Sequence, residues 1–362
     1  MATEDDDIII SPPKYQQVCD YIFKKIQQNQ YPIDSKIESE ETYAKLFHIS
    51  RGTVRQAIKD LEKDGLIETT HGKGSFVIRK TKSSQIRFVS FLIPDDYGFD
   101  IFNNSFYMPI LVSLEKYGKQ NNLKIAFSTY SNEEFEKNPK TFFDHIGDGC
   151  FLTRSISVGM EALLYKNKTP CVMIGSTSPN DVFCSVMADN IHGAYLATKY
   201  LITLGHRKIA HITHDMRRVT GQQRYEGYRQ ALEEYNIPFD KALVIECNSK
   251  DPESIRSALD SFIGNTNFTA IFAGSDSRSI IAIDNLRERG YRIPQDISIV
   301  GFDNTFLSNQ PIYSLTTVDI NKELMAEKAM EFLLAEMCNE NIPTKAITIP
   351  VSLIIRGSCR EV

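Results

Sequence analysis

A chain of 362 residues exceeds one ordinary hydrophobic core, so two or three domains are expected. Its 42% apolar and 24% charged content is globular. No apolar run approaches the roughly 20 residues of a membrane helix, and the seven cysteines form no C-x-x-C pair, which argues against a disulfide framework or a zinc site. The net charge of −5 counts against a nucleic-acid partner until it is resolved along the chain. Residues 12–82 hold 13 lysines and arginines against 9 acids, a basic module joined to an acidic body.

In chain order, residues 1–11 read as an acidic, disordered tail. The tail is acidic where a secretory signal would be basic, so a cytoplasmic location is expected. Residues 12–80 read as one module. Pro12-Pro13 precede a helical pattern through Tyr15, Val18, Tyr21, Ile22 and Ile26. Ser39 can cap a second helix whose first turn carries Glu40 and Glu41 and whose packing face holds Tyr43, Leu46 and Phe47. Ser50 can cap a third. There Arg51 and Arg55 stand one turn apart on one face, with Val54, Ala57, Ile58 and Leu61 opposite. Leu66–Thr70 and Ser75–Ile78 flank a His71-Gly72-Lys73-Gly74 turn, the pattern of a hairpin. Three helices and a hairpin make a winged helix-turn-helix.

The chemistry of that module points to duplex DNA. Guanidinium forks match guanine O6/N7 or phosphate, so Arg51 and Arg55 are the candidate base readers. Ser50 and Thr53 offer hydroxyls at a helix N-terminus to phosphate. Lys73, beside Gly72, can follow a close backbone approach to a minor groove. The module resembles the DNA-binding domain of the GntR family. The resemblance rests on Lys14–Val18, Ile37–Glu40, Ser50–Ala57, Gly65–Ile67 and Gly72–Val77. It implies DNA-contact roles for Ser39, Arg51, Thr53, Arg55, Gly72 and Lys73. Two residues depart from the family pattern. Glu38 stands where proline is usual, adding a negative charge near DNA, and His48 stands where glycine is common, which demands an unusual backbone angle.

Residues 81–85 read as a polar linker. From residue 86 to 358, short apolar runs alternate with amphipathic stretches. Expected strands are Arg87–Ile93, Lys124–Ser128, Gly149–Leu152, Cys171–Ile174, Lys208–Ile212, Leu243–Glu246, Ala270–Ala273 and Ile297–Gly301. Expected helices include Ile191–Leu204, Thr220–Tyr235 and Ser277–Arg289. Such alternation means parallel sheets wrapped by helices. At this length two α/β lobes are expected: one about 86–189 plus part of 318–340, the other about 190–317 plus 341–358. Ligands of open α/β sheets bind outside the carboxyl ends of strands. Ser275, Asp276 and Asp303 follow expected strands, and Arg224 lies early in a helix. A guanidinium and carboxylates converging on a cleft can bind vicinal hydroxyls.

This second module resembles the effector domain of the LacI/GalR family, itself similar to periplasmic sugar-binding proteins. The resemblance rests on Asp189–Ala194, Leu204–Ala210, Arg224–Tyr228, Gly290–Asn304, Leu315–Val318 and Leu353–Ser358. It implies a two-lobed type I periplasmic-binding-protein-like fold and places effector contacts first on Arg224 and Asp303, then on Ser275 and Asp276. Ser275 replaces a frequent ligand-binding asparagine. The loop Asp95–Tyr107 is rich in aromatics (Tyr97, Phe99, Phe102, Phe106, Tyr107), one of which can stack on a ligand's apolar face.

His206, His211 and His214 lack a completing carboxylate or cysteine, so no metal is expected. No P-loop, dinucleotide Gly-x-Gly-x-x-Gly or nucleophile elbow is present, so neither cofactor nor catalysis is expected. The two resemblances together imply a cytoplasmic homodimeric repressor on a palindromic operator. A small sugar, first a monosaccharide, would close the cleft and release the DNA. The open alternatives are a corepressor such as a purine, and a soluble sugar-binding protein with no DNA role.

Overall fold

The computed structural model describes residues 13–27, 30–63, 65–70, 73–78, 87–94, 106–247, 252–263 and 266–362. It separates into two compact units, up to Ile86 and from Arg87 onward. The expected acidic tail, the linker 81–85, His71, Gly72, Tyr97, Phe99 and Phe102 lie outside the described residues.

The first unit is built on α1 (Lys14–Gln27), α2 (Glu40–Phe47) and α3 (Arg51–Lys63), followed by a hairpin of β1 (Ile67–Thr70) and β2 (Gly74–Val77). The apolar stripe of α3 is wholly buried and meets Val18, Ile22, Tyr43, Ile67 and Val77 in one core. Ser39 caps α2 by accepting from the Thr42 N–H at 3.2 Å. His48 ends that helix in the left-handed region (φ 50°), the angle its position was expected to demand. Leu46 corrects the expected packing face of α2. It is 53% exposed, and Tyr21 packs edge-on against Phe47 instead.

The second unit holds two six-stranded sheets. The first, in spatial order β13-β7-β6-β5-β3-β4, comprises β3 (Arg87–Pro94), β4 (Leu123–Tyr130), β5 (Cys150–Leu152), β6 (Cys171–Ile174), β7 (Cys184–Ala188) and β13 (Ala346–Ile349). The second, β14-β12-β11-β10-β8-β9, comprises β8 (Ile209–Ile212), β9 (Val244–Ile245), β10 (Ala270–Ala273), β11 (Ser298–Asp303), β12 (Thr316–Ile320) and β14 (Val351–Ile354). All pairings are parallel except β12 with β14. Inner strands such as β6 and β10 are buried at every position, because helices cover both faces. The helices α4 (Tyr107–Gln120), α5 (Asn132–Lys137), α6 (Pro139–Ile146) and α7 (Val158–Lys166) belong to the first lobe. The helices α8 (Asn190–Thr203), α9 (Val219–Glu234), α10 (Pro252–Ile263) and α11 (Asp276–Glu288) belong to the second.

The chain crosses between lobes three times: after β7, after β12 into α12 (Lys322–Met337), and between β13 and β14. α12 packs on α4, β6 and β7 of the first lobe. The expected second-lobe span 341–358 needs correction, since β13 pairs in parallel with β7 of the first sheet and Ser185 N–H donates to the Lys345 carbonyl at 2.7 Å. The last exchange therefore falls at Pro350, which carries no N–H to continue either ladder.

Candidate functional site

In the first unit, Ser50 Oγ accepts from the Thr53 N–H at 3.1 Å and lies 2.9 Å from Thr53 Oγ1, so the start of α3 is fixed by its own hydroxyls. Arg51 and Arg55 project from α3 with side chains 60% exposed. Neither points freely into solvent. Arg51 Nη2 donates to Glu41 at 2.6 Å, and Arg55 grips Glu40 in a fork, Nε at 3.1 Å and Nη2 at 2.8 Å. The fork to Arg55 holds the Glu40 carboxyl below its ordinary range. Two acids in the first turn of α2 thus orient two arginines of α3. Lys73 is exposed at the hairpin turn, where its N–H donates to the Thr70 carbonyl at 3.0 Å. Gly74 has φ 106°, a conformation that strains any residue with a side chain, which favours glycine there. Glu38 does not stand as a lone charge. It accepts from the Tyr43 hydroxyl at 2.7 Å and lies 3.8 Å from Lys25 Nζ.

In the second unit, a cavity of about 550 Å³ lies between the two lobes. Arg224, Ser275 and Asp303 line it. Arg224 is 5% exposed and held at all three nitrogens: Nε to Asn190 Oδ1 at 2.9 Å, Nη1 to the Gly274 carbonyl at 2.6 Å, and Nη2 to Asp303 at 3.2 Å. Its guanidinium sits 3.7 Å over the Phe302 ring. This placement depends on how closely α9 approaches α8, since a Cβ at Gly227 would collide with the Ile191 carbonyl. That contact accounts for the Arg224-Tyr225-x-Gly227 spacing.

Asp303 ends β11 with φ 112°, a strained conformation for an L-residue. Several bonds hold it there. Lys322 Nζ donates to its carbonyl and to that of Asn304. Asn304 donates to Asp319 at 2.7 Å and accepts from Arg356 at 2.7 Å. Burial raises the Asp303 carboxyl while Arg224 opposes the rise.

Asp276 stands apart from the other expected contacts. It is fully buried behind the cavity wall, accepting from Thr317 Oγ1 at 2.5 Å and the Thr305 N–H at 2.7 Å. Burial first, and Asp303 second, push its carboxyl up to about 6. Its observed partners make it a tie between β12 and the turn after Asp303, and it is not among the lining residues.

Sequence reasoning assigned no role to several residues that line the cavity. Asn190 begins α8, Arg154 follows β5, Arg218 precedes α9, and Ser277 with Arg278 forms the first turn of α11. Asn190 lay inside a motif already singled out. Arg278 carried one signal, its place three residues after Ser275 at a helix start. From the aromatic loop, Phe106 and Tyr107 reach the cavity wall. Of the three histidines, His214 lines the cavity. His206 is bonded to Thr269 at 2.8 Å and to the Arg360 carbonyl at 3.2 Å. His211 bonds the Phe272 carbonyl at 2.9 Å and stacks between Phe272 and Tyr228.

Comparison with known proteins agrees with this division. Residues 14–77 match the family model described as bacterial regulatory proteins, gntR family, and residues 198–359 match that of a periplasmic binding protein-like domain. The chain is 34% identical over 198 residues to the HTH-type transcriptional repressor PurR of Yersinia pestis bv. Antiqua, covering 54% of this chain and 58% of that protein. It thus spans little more than half the length of such curated relatives. Among solved structures it is similar to a putative transcriptional regulator LacI from Bacillus cereus subsp. cytotoxis (26% identity, TM-score 0.68, 76% of this chain and 99% of that one). It also shares its fold with the transcription regulator CcpA of Lactococcus lactis (22% identity, TM-score 0.69, 76% and 100%). The chain is a gntR-family winged helix-turn-helix domain fused to a LacI/GalR-type periplasmic-binding-protein-like domain.

Proposed function

We propose that this protein is a cytoplasmic transcription repressor whose winged helix binds an operator and whose inter-lobe cleft senses a small effector. The observation that carries the reading is the pairing of two constellations in one chain. One is the exposed Arg51/Arg55 face on a packed α3, and the other is the Arg224–Asp303 pair in a cavity between lobes. In the head, Arg51 and Arg55 exchange Glu41 and Glu40 for base edges or phosphates in a major groove. Ser39, Ser50 and Thr53 hold phosphates, and Lys73, beside Gly72, follows the backbone at the wing. One such module covers few base pairs, so two copies of the chain bind a palindrome.

In the cleft, Asp303 accepts from a ligand hydroxyl while Arg224 and Ser275 orient the ring, and a monosaccharide-like ligand matches that donor and acceptor set. Closure on the effector shifts operator affinity by its differential binding to the two states, and no further. The first reading is release of the operator. The 34% identity to repressors named PurR favours a second, a corepressor such as a purine that tightens DNA binding.

The test is selection of duplexes from a random library by the full chain, followed by titration of candidate effectors. A selected, palindromic, salt-sensitive duplex whose affinity moves with an effector supports the reading. Release and tightening separate its two forms. No salt-sensitive duplex at all sinks it.

A further inference from the structure

Each passage between the lobes is a single residue: Asp189 between β7 and α8, Asn321 between β12 and α12, and Pro350 between β13 and β14. The first two passages are bonded directly to the cleft pair. Asn190, which follows Asp189, donates through Nδ2 to the Ala188 carbonyl at 3.0 Å on the first-lobe side. Its Oδ1 accepts from Arg224 at 2.9 Å on the second-lobe side. Lys322, which follows Asn321, opens the helix that packs on the first lobe. Its ammonium nevertheless reaches back to the second lobe, donating to the Asp303 carbonyl and, at 3.3 Å, to that of Asn304.

The turn that Lys322 grips is strained. Asp303 and Asn304 have φ 112° and 46°, and such backbone persists only where its surroundings over-determine it. Lys322 is 8% exposed. Burial pulls its pKa down, while Asp303, Asp319 and Asp276 oppose the fall. Phe106, at the start of α4 and on the cavity wall, presents its ring 5.8 Å from Nζ. Rotating α12 against the second sheet moves Nζ relative to the two carbonyls it bonds. The lobe angle and the shape of this turn therefore do not vary independently, and the same turn carries the Asp303 carboxylate.

We propose that Lys322 is a positioning residue that couples occupancy of the cleft to the angle between the lobes, by gripping from the hinge the turn that carries Asp303. This rests on the regulatory reading above and assigns a residue through which it works. Lys322 is not among the described residues that line the cavity, so it acts through Asp303. A ligand hydroxyl on the Asp303 carboxylate stabilises one shape of the turn, and Lys322 passes that preference to α12. By linkage, closure of the lobes favours the ligand by the same factor.

The experiment uses the full chain as wild type, Lys322→Met and Lys322→Arg, with ribose, cellobiose and hypoxanthine as probes. Probe binding is read by calorimetry and affinity for the selected operator by anisotropy. The lobe angle is read by pulsed electron paramagnetic resonance between nitroxides on p-azidophenylalanine at the exposed positions 165 of the first lobe and 241 of the second. Without probe, Lys322→Met should broaden the distance distribution. A saturating probe should shift wild-type operator affinity by about 5–150-fold, and in Lys322→Met that shift should fall below about threefold. The variant should still bind the probe within roughly 10-fold of wild type, since Arg224 and the Asp303 carboxylate remain. Lys322→Arg, which keeps the charge and two donors, should restore both the distribution and the shift. If Lys322→Met does not fold, the neutral and shorter Lys322→Gln takes its place under the same expectations.

A distance distribution equal to wild type overturns the proposal. So does a full operator shift at saturating probe, however weakly the probe binds, because Lys322 would then only stabilise the site. An arginine variant no better than the methionine one also overturns it. If no probe moves wild-type operator affinity, that counts against the regulatory reading, and the probe-free distributions alone decide the role of Lys322: broadening supports it and identity overturns it.

Discussion

The chain uses the arginine–carboxylate pair twice, under opposite conditions. In the head, Arg51 and Arg55 meet Glu41 and Glu40 with arginine side chains 60% exposed. In the cleft, Arg224 meets Asp303 with side chains 6% and 13% exposed. Water screens the first pairs, so little free energy is lost when a phosphate or a base replaces the acid. The second pair is desolvated, and its partners Asn190 and Gly274 leave the guanidinium no alternative geometry. Exposed pairs are suited to exchange and buried pairs to a fixed frame against which a ligand is read.

The double substitution Arg51→Ala/Arg55→Ala should abolish measurable operator binding, since each bidentate base contact is worth roughly 10–100-fold in affinity. The thermal midpoint and effector binding should stay at their wild-type values, because both side chains are solvated. Retained operator affinity, measured by anisotropy, would show that α3 is not the reading helix. Arg224→Ala inverts this pattern. It leaves Asp303 buried without its cation and should destabilise the second unit by about 3–5 kcal/mol. Operator binding should persist at low temperature without any response to effector. An unchanged midpoint by calorimetry would mean that water or Lys322 compensates Asp303, and that the cleft pair is no frame at all.

How far each region is legible in the sequence follows the same division. The stripe Val54, Ala57, Ile58 and Leu61 was visible at helical spacing, and every member is buried. Strands β6 and β10 have the limits that their apolar runs foretold. The strands that were not visible, β7, β12, β13 and β14, each set polar residues among the apolar ones. β12 reads Thr-Thr-Val-Asp-Ile, yet Thr316 and Thr317 are fully buried because Arg356, Ser358 and Asp276 satisfy them. β7 likewise carries a buried polar residue, Ser185, inside its run.

The same limit applies at the cleft. An acid after a strand looks like a ligand contact, but nothing local reveals that Thr317 and the Thr305 N–H turn Asp276 inward. Arg278, polar on a helix, looks like surface until the tertiary fold buries it. Hydrophobic periodicity reports which face is covered, whereas the partner of a polar group is set by residues distant in sequence.

Buried titratable groups in the second unit give a smaller, pH-dependent contrast with the head. Burial holds His211 neutral in the fold, down to about 4 against an ordinary 6.5. The unfolded chain takes the proton first as pH falls. The stabilisation is therefore complete above 6.5 and is lost progressively between 6.5 and 4, on the order of 3 kcal/mol. Burial lowers His206 too, so its contribution has the same sign. Asp276 acts oppositely. Raised to about 6 from 3.8, it contributes stability below 3.8 that disappears as pH rises to 6. His211→Phe, which keeps the stack, should flatten the acid limb of the unfolding midpoint, and Asp276→Asn should steepen it. A wild-type midpoint that does not fall between pH 6.5 and 4, with both variants flat, would mean neither group stays buried.

The smallest effect belongs to the exposed acids. Glu40 and Glu41 orient Arg55 and Arg51, but they also place two negative charges where a phosphate backbone approaches. Glu40→Gln/Glu41→Gln removes the repulsion and frees the guanidiniums, so affinity for any duplex should rise roughly two- to fivefold at low salt and the gain should vanish at high salt. Discrimination between the selected operator and an unrelated duplex should fall, because unheld arginines pay more rotamer entropy on adopting one geometry. If discrimination instead survives while affinity rises, the acids are only a charge penalty, and the helix itself presents the two arginines. If affinity falls, the carboxylates remain bonded in the complex and buttress the forks. The exposed pairs of the head would then behave like the fixed pair of the cleft, and the contrast between exchangeable and rigid pairs would fail at its weakest member.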